Sequence, residues 1–200
     1  MALLQNSKNV GASKPFKDAT RSGYIWIAPI GTKLPTKYDE ALDAAFAGLG
    51  YMSDDGLTEP AALSPGDNVQ DAGGEQIFQY DPKFSKTWTG TAVESKNVDL
   101  LKAAFGSSNV TVDATTGMVT YDESTISPEH HVIVIDELVR GNRVRHVMPD
   151  ATFMITDDVS HVSTALVSYG FTITAYATDS YPAQRTFMEP NTVPNTVPKP

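Results

Sequence analysis

HHVIVIDELVRGNRVRHVM, residues 130–148, decides the fold class of this chain. A run rich in Val and Ile meets a second run, RVRHVM, across Gly141-Asn142, a pair suited to the φ > 0 positions of a tight turn. The two runs read as an antiparallel hairpin. Side chains one apart on a strand face opposite ways, so His130 and His131 cannot ligate one ion together. His146 is placed to pair across the hairpin with one of them. Arg143 and Arg145 share a strand face and form, with Arg140, the basic cluster of the chain.

Strands follow on both sides. ATFMITDDVS (151–160) and LVSYGFTITAYAT (166–178) complete a sheet downstream, and GYIWIAPI (23–30), rich in β-branched and aromatic residues, is the first strand upstream. EQIFQY (75–80) and KTWTGTAVES (86–95) alternate as strands do, with DPKF as the turn between them. In the second, Trp88, Gly90 and Ala92 share one face. NVTVDA and GMVTYD pair through a turn near Thr115-Thr116-Gly117.

Two short helices are expected. KYDEALDAAFAGLG (37–50) places Leu42, Ala45 and Phe46 on one face and ends in glycine. NVDLLKAAFG (97–106) has Asn97 or Asp99 as N-cap and Gly106 beyond its last turn. Between Tyr51 and Gly74 the chain is polar and turn-rich, long for a connection inside a compact domain, so it is an edge hairpin or a functional loop. The order is strand-dominated with helices inserted and never βαβ. The expectation is a mainly β fold, a β-sandwich or partly closed barrel with one or two short flanking helices.

Residues 1–22 read as an N-terminal arm, 23–180 as the β domain and 181–200 as a Pro-rich tail. The tail carries the tandem NTVP at 191–194 and 195–198, in which proline at every fourth position blocks both ladder and helix; it is expected to be extended and mobile.

Composition excludes several functions. A formal net charge of −9 over 200 residues argues against a sequence-general nucleic-acid binder and against docking on an anionic membrane. With no cysteine there is no disulfide framework, thiolate zinc site or cysteine nucleophile. The N-terminus lacks the basic-then-apolar pattern of a secretory signal, and no apolar run nears the ~20 residues of a membrane helix.

The candidate sites carry little chemistry. Asp54-Asp55 is adjacent rather than alternating, so the register of a calcium loop fails. Asp157-Asp158 must point one carboxylate outward from a strand. No G-x-S-x-G elbow is present, GLG (48–50) follows a helix and precedes none, and the sequon NVT (109–111) has no secretory context. No catalytic residue, cofactor or metal is expected.

GYIWIAPIGTKLP, followed by ALDAAFAGLGYMSDDGLTEP, then a W-x-G strand and VDLLKAAFG, forms an ordered series over about residues 20–178. It resembles the major tail protein, or tail tube protein, of long-tailed, non-contractile phages, especially those of actinobacteria. The resemblance implies a β-sandwich or barrel-like subunit that forms hexameric rings stacked into a tube, through whose lumen DNA leaves the capsid. It also implies residence in the virion tail, synthesis in the host cytoplasm, and neighbours such as tape measure, tail terminator and distal tail proteins. The loop 51–74 then serves contacts between subunits or rings, with Asp54, Asp55, Leu57, Asp67 and Asp71 near them. Arg140, Arg143 and Arg145 would face carboxylates of another subunit. Asp54-Asp55-Gly56 reads as the exposed turn leaving the first helix. Competing readings are another phage structural part, such as a tail terminator, or a carbohydrate-binding β-sandwich using Trp26, Trp88 and several tyrosines as stacking platforms.

Overall fold

The computed structural model describes residues 12–15, 24–124 and 127–190. In chain order the strands are β1 (Ser13–Pro15), β2 (Ile25–Pro29), β3 (Ala47–Gly48) and β4 (Met52–Thr58). Next come β5 (Leu63–Ser64), β6 (Asn68–Gln70), β7 (Gln76–Gln79), β8 (Lys83–Phe84) and β9 (Lys86–Ala92). Helix α1 (Val98–Phe105) precedes β10 (Val110–Val112), β11 (Val119–Tyr121), β12 (His130–Val139), β13 (Asn142–Ile155), β14 (Tyr169–Tyr176) and β15 (Arg185–Met188). The fold is mainly β, with one large sheet and one α-helix among the described residues.

The β12–β13 hairpin is the spine. Val139 pairs with Asn142, so the loop is Arg140-Gly141, one residue earlier than the glycine-asparagine pair suggested. Both loop residues have positive φ, 55° and 87°, the geometry of a type I′ turn that follows strand twist. β13 is one strand of 14 residues where the sequence suggested two, because Pro149 falls at a bulge. Opposite Val132 the register slips by one residue, and a proline without an N–H is tolerated where the ladder is already interrupted.

That bulge also divides the partners of β13. β15 lies along Val144–Val147 and β14 along Asp150–Ile155. On the other side of the spine, β2 pairs Ile25–Pro29 with His131–Ile135 while β1 pairs with Glu137–Val139. The long path runs β3-β2-β12-β13-β14-β9-β4. Its two end strands are joined by only Leu49-Gly50-Tyr51, so Gly48 and Met52 stand at most about 14 Å apart. The sheet therefore curls nearly back on itself without closing.

Curling gives two cores. Ile25, Ile27, Ile133, Ile135, Phe153, Phe171 and Trp88 point inward with Leu100, Leu101 and Ala103 of α1. Trp26, Ala28, Val132, Val134 and Val147 face the other way and are covered by Phe46, with Leu34 and Leu42 beside it. Burial on both faces explains why IWIA and VIVI read as continuous apolar runs. α1 begins as expected, with Asn97 Oδ1 accepting from the N–H groups of Asp99 and Leu100 at 3.0 and 3.1 Å. It ends at Gly106, whose N–H donates to Lys102 O while its φ is 90°.

The expected helix over 37–50 does not form. Arg145 Nη1 donates to the carbonyls of Lys37 and Glu40 at 3.3 and 2.5 Å, claiming acceptors that a helix would use. Ala47-Gly48 pairs with Ile27 and Trp26 instead. Alanine-rich propensity yields to tertiary bonds here. Ser13–Pro15 of the expected arm and Arg185–Met188 of the expected tail are strands within the chain's own sheet. The remaining positions of the 1–22 arm, and the NTVP repeats, lie outside the described residues.

Candidate functional site

The segment between β4 and β9 builds a structure of its own. Leu63-Ser64 pairs with Phe84-Lys83, and Asn68–Gln70 pairs with Gln79–Gln76, nested as the outer and inner parts of one long hairpin, 61–85. Neither pair joins the main sheet. Gly66 lets the inner backbone approach closely, since a Cβ there would stand 2.0 Å from Tyr80 O. Asp71 makes the tip, its carboxylate accepting from the N–H groups of Gly73 and Glu75 at 2.8 and 2.9 Å. Asp67 accepts from Lys83 at 2.8 Å, an exposed pair that contributes little to stability.

What this hairpin shows to solvent is apolar. Leu63, Ile77, Phe78, Tyr80 and Phe84 are 57–65% exposed, and all four β7 residues are exposed on both faces. Phe78 and Tyr80 meet only edge to face, at 5.3 Å. Around them sit Asp67, Asp71, Glu75 and Asp81 against Lys83. These five large apolar side chains stand on one element outside the main sheet. EQIFQY, expected as a strand turning through DPKF into 86–95, pairs instead with Asn68–Gln70. The overlooked signal was the pattern NVQ-DAGGE-QIFQ, two short strand-like runs around a glycine turn.

Asp54 and Asp55 stand at an irregularity of β4 rather than in a turn leaving a helix. β4 pairs with β9 at Met52–Ala92 and Leu57–Gly90, so the β4 residues between them bulge outward. Gly56, at φ 75°, permits the return. Ser53 Oγ lies 3.3 Å from Asp54 Oδ1 and 3.2 Å from Asp55 Oδ2, and both acids are exposed. Leu57 turns inward over Gly90 and packs on the main core.

The arginines are used differently from one another. Arg140 is exposed at the β12–β13 turn. Arg145 is buried, with Nε and Nη2 donating to the two oxygens of Asp136 at 2.7 and 2.8 Å, and Arg143 Nη2 reaching the same carboxylate at 3.2 Å. The carboxylate that Arg145 faces is thus its own chain's. Asp67 and Asp71 share the long hairpin, Asp54, Asp55 and Leu57 share β4, and the arginines lie by the far turn; the fold does not gather them into one pocket.

The histidines do not pair with each other. His130 Nδ1 meets Asp150 Oδ1 at 2.5 Å, and His146 meets Glu137 at 3.0 Å. Burial pushes the His131 imidazole down from its ordinary value, against the opposing pull of Glu129. Burial pushes Glu137 up, but hydrogen bonds from His146 and Ser13 hold it below the ordinary range. Among the described residues no three His, Asp or Glu side chains gather as metal ligands. Trp26 and Trp88 are 3% and 4% exposed, so neither offers a face to a sugar.

The chain is thus a curled β sheet with an exposed apolar hairpin outside it. A scan against protein families matches residues 19–199 to a family described as phage tail tube protein, whereas a search of curated proteins returned no match. The chain belongs to the phage tail tube protein family. Membership makes it a structural tail tube subunit of the virion tail, and implies self-assembly with other tail proteins. A structural family also points away from an enzyme.

Proposed function

We propose that copies of this chain associate head to tail into six-membered rings, that the rings stack, and that DNA is ejected through the lumen. The observation that supports this reading best is the 61–85 hairpin with its exposed Leu63, Ile77, Phe78, Tyr80 and Phe84. Fully burying one such side chain stabilises a contact by about 1.5–3 kcal/mol. A heterologous contact that closes gives a ring, and one that does not close continues as a stack; a tube uses both. The outer edges of β3 and β4 end the sheet path and suit strand addition by a neighbour.

Charge supports the conduit. Duplex DNA carries one negative charge per ~1.7 Å, and each Lys or Arg on a phosphate adds affinity. A subunit of net charge −9 lines a tube that does not grip its passenger. Asp54 and Asp55 on the β4 bulge, Asp67 and Asp71 on the hairpin, and Arg140 at the turn are the exposed residues assigned to contacts. Leu57, Arg143 and Arg145 shape those surfaces from beneath. Tape measure, tail terminator and distal tail proteins are the further partners, with synthesis in the host cytoplasm. The affiliation with phages of actinobacteria rests on the motif series beginning GYIWIAPIGTKLP.

Negative-stain microscopy of the purified protein at rising concentration tests the reading. Six-membered rings and hollow tubes are expected. A solitary particle at every concentration that binds a glycan array would favour the carbohydrate module instead.

A further inference from the structure

Hydrogen bonds between side chains run almost without interruption from the first strand to the base of the long hairpin. Ser13 Oγ on β1 donates to Glu137 Oε2 on β12. Glu137 Oε1 meets His146 Nε2 on β13 at 3.0 Å. His146 Nδ1 lies 2.9 Å from Thr186 Oγ1 on β15 and 3.2 Å from Gln184 Nε2 just before it. Gln184 Oε1 accepts from Trp88 Nε1 on β9 at 2.7 Å, and its Nε2 donates to Glu59 Oε1 at 3.1 Å. Glu59 also accepts from Lys86, and these two residues flank the 61–85 hairpin.

Donor and acceptor chemistry gives this chain of bonds one direction. The indole N–H can only donate, so it fixes the Gln184 carbonyl toward Trp88. The Glu59 carboxylate accepts, so it fixes the Gln184 amide nitrogen on the opposite side. A flipped Gln184 would set N–H against N–H at one end and oxygen against oxygen at the other. The carboxylate of Glu137 likewise requires the hydrogen of His146 on Nε2, leaving the one lone pair of Nδ1 to accept from the Thr186 hydroxyl, with the Gln184 amide nitrogen beside it at 3.2 Å. Reversing either group breaks bonds at both of its ends, which is how a network acquires more strength than its separate pairs.

We propose that the Glu137–His146–Gln184–Trp88 network is a latch that makes the two terminal strands and the base of the long hairpin one cooperative unit. Seating of β15 against Val144–Val147 then sets how firmly Glu59 and Lys86 hold the hairpin. Loss of any link loosens β1, β15 and the hairpin base together. β2, β14 and α1 contribute no side chain to the latch, so their protection does not depend on it.

Hydrogen exchange of the full, unassembled chain tests this, and does so whether or not tubes form. Trp88→Phe keeps a ring in the core but removes the N–H; Gln184→Met keeps length at a half-buried site and serves if the first variant folds poorly. Either is expected to speed exchange roughly two- to tenfold, the effect of one lost hydrogen bond, at 12–15, 185–188 and the residues around Glu59 and Lys86 alike. Protection at 25–29 should remain unchanged. Faster exchange confined to the substituted strand would overturn the latch, and so would a uniform rise that includes 25–29.

Discussion

Asp136 and Arg145 sit directly opposite each other across β12 and β13, both about 1% exposed, and are joined by two parallel hydrogen bonds of 2.7 and 2.8 Å. The remaining donor of Arg145 holds the 37–40 backbone over the second core. Removing one partner strands a buried charge, so Asp136→Ala is expected to destabilise the chain by about 3–5 kcal/mol. The double change Asp136→Leu with Arg145→Met should recover much of that loss. Urea unfolding of Asp136→Leu, Arg145→Met and the double variant measures it, and additive losses would contradict the pairing.

The long hairpin should matter to assembly and not to folding. Ile77→Ser with Phe78→Ser removes two exposed apolar side chains, so the unfolding midpoint should change little. Polymerisation followed by light scattering should fall at least tenfold in rate. A midpoint lowered by several degrees would place these side chains in the subunit's own core.

Gly66 offers a second, geometric handle on the same element. A methyl group there would collide with the carbonyls of Tyr80 and Asp81, at 2.0 and 2.5 Å, so Gly66→Ala forces the hairpin's two sides apart. Limited proteolysis is expected to cut the variant within 61–85 while the β12–β13 spine stays intact. Wild-type resistance in that segment would show that the close approach is dispensable.

The paired acids on the β4 bulge should act at a contact. Asp54→Ala with Asp55→Ala removes two exposed charges that brace no buried group, so the fold should survive with a change within about 0.5 kcal/mol. Loss of tube formation with unchanged circular dichroism is the expected outcome. Full polymerisation would remove Asp54 and Asp55 from the interface.

Acid should loosen the 33–40 loop late. The Thr36 N–H, then Lys33 and the Thr36 hydroxyl, hold the Glu40 carboxyl at about 2 instead of 4.5. A depressed carboxylate stabilises the fold above its ordinary value and loses that effect as pH falls through the lowered one. Between 4.5 and about 2 the loop should therefore open progressively. A titration of Glu40 by nuclear magnetic resonance should show its midpoint near 2, moving upward in Lys33→Met. A midpoint at the ordinary value would contradict the hydrogen-bonded loop.

The spine, the second helix and the β10–β11 hairpin were legible because local chemistry and tertiary structure agree there. Asn97 caps, Gly106 ends a helix, and alternation in KTWTGTA buries Trp88 and Ala92 on one side. The failure at 37–50 has a physical source: Arg145, more than a hundred residues away, takes the carbonyls that a helix would need. Pro149 misled for a related reason, since a bulge absorbs a proline only when a partner strand slips with it. Alternation in EQIFQY marks a strand but not its partner, and only three-dimensional pairing reveals that it belongs to a separate hairpin. The burial of Arg145 against Asp136 was invisible because charge in a sequence does not declare which side of a curled sheet it faces.

Small-angle scattering of the full chain over a concentration series, at low and high salt, separates a self-assembling subunit from a solitary one. Forward scattering should climb with concentration, and the profile should become that of a hollow cylinder. A compact particle of one 21.6 kDa chain at every concentration, with other tail proteins present as well, would contradict it.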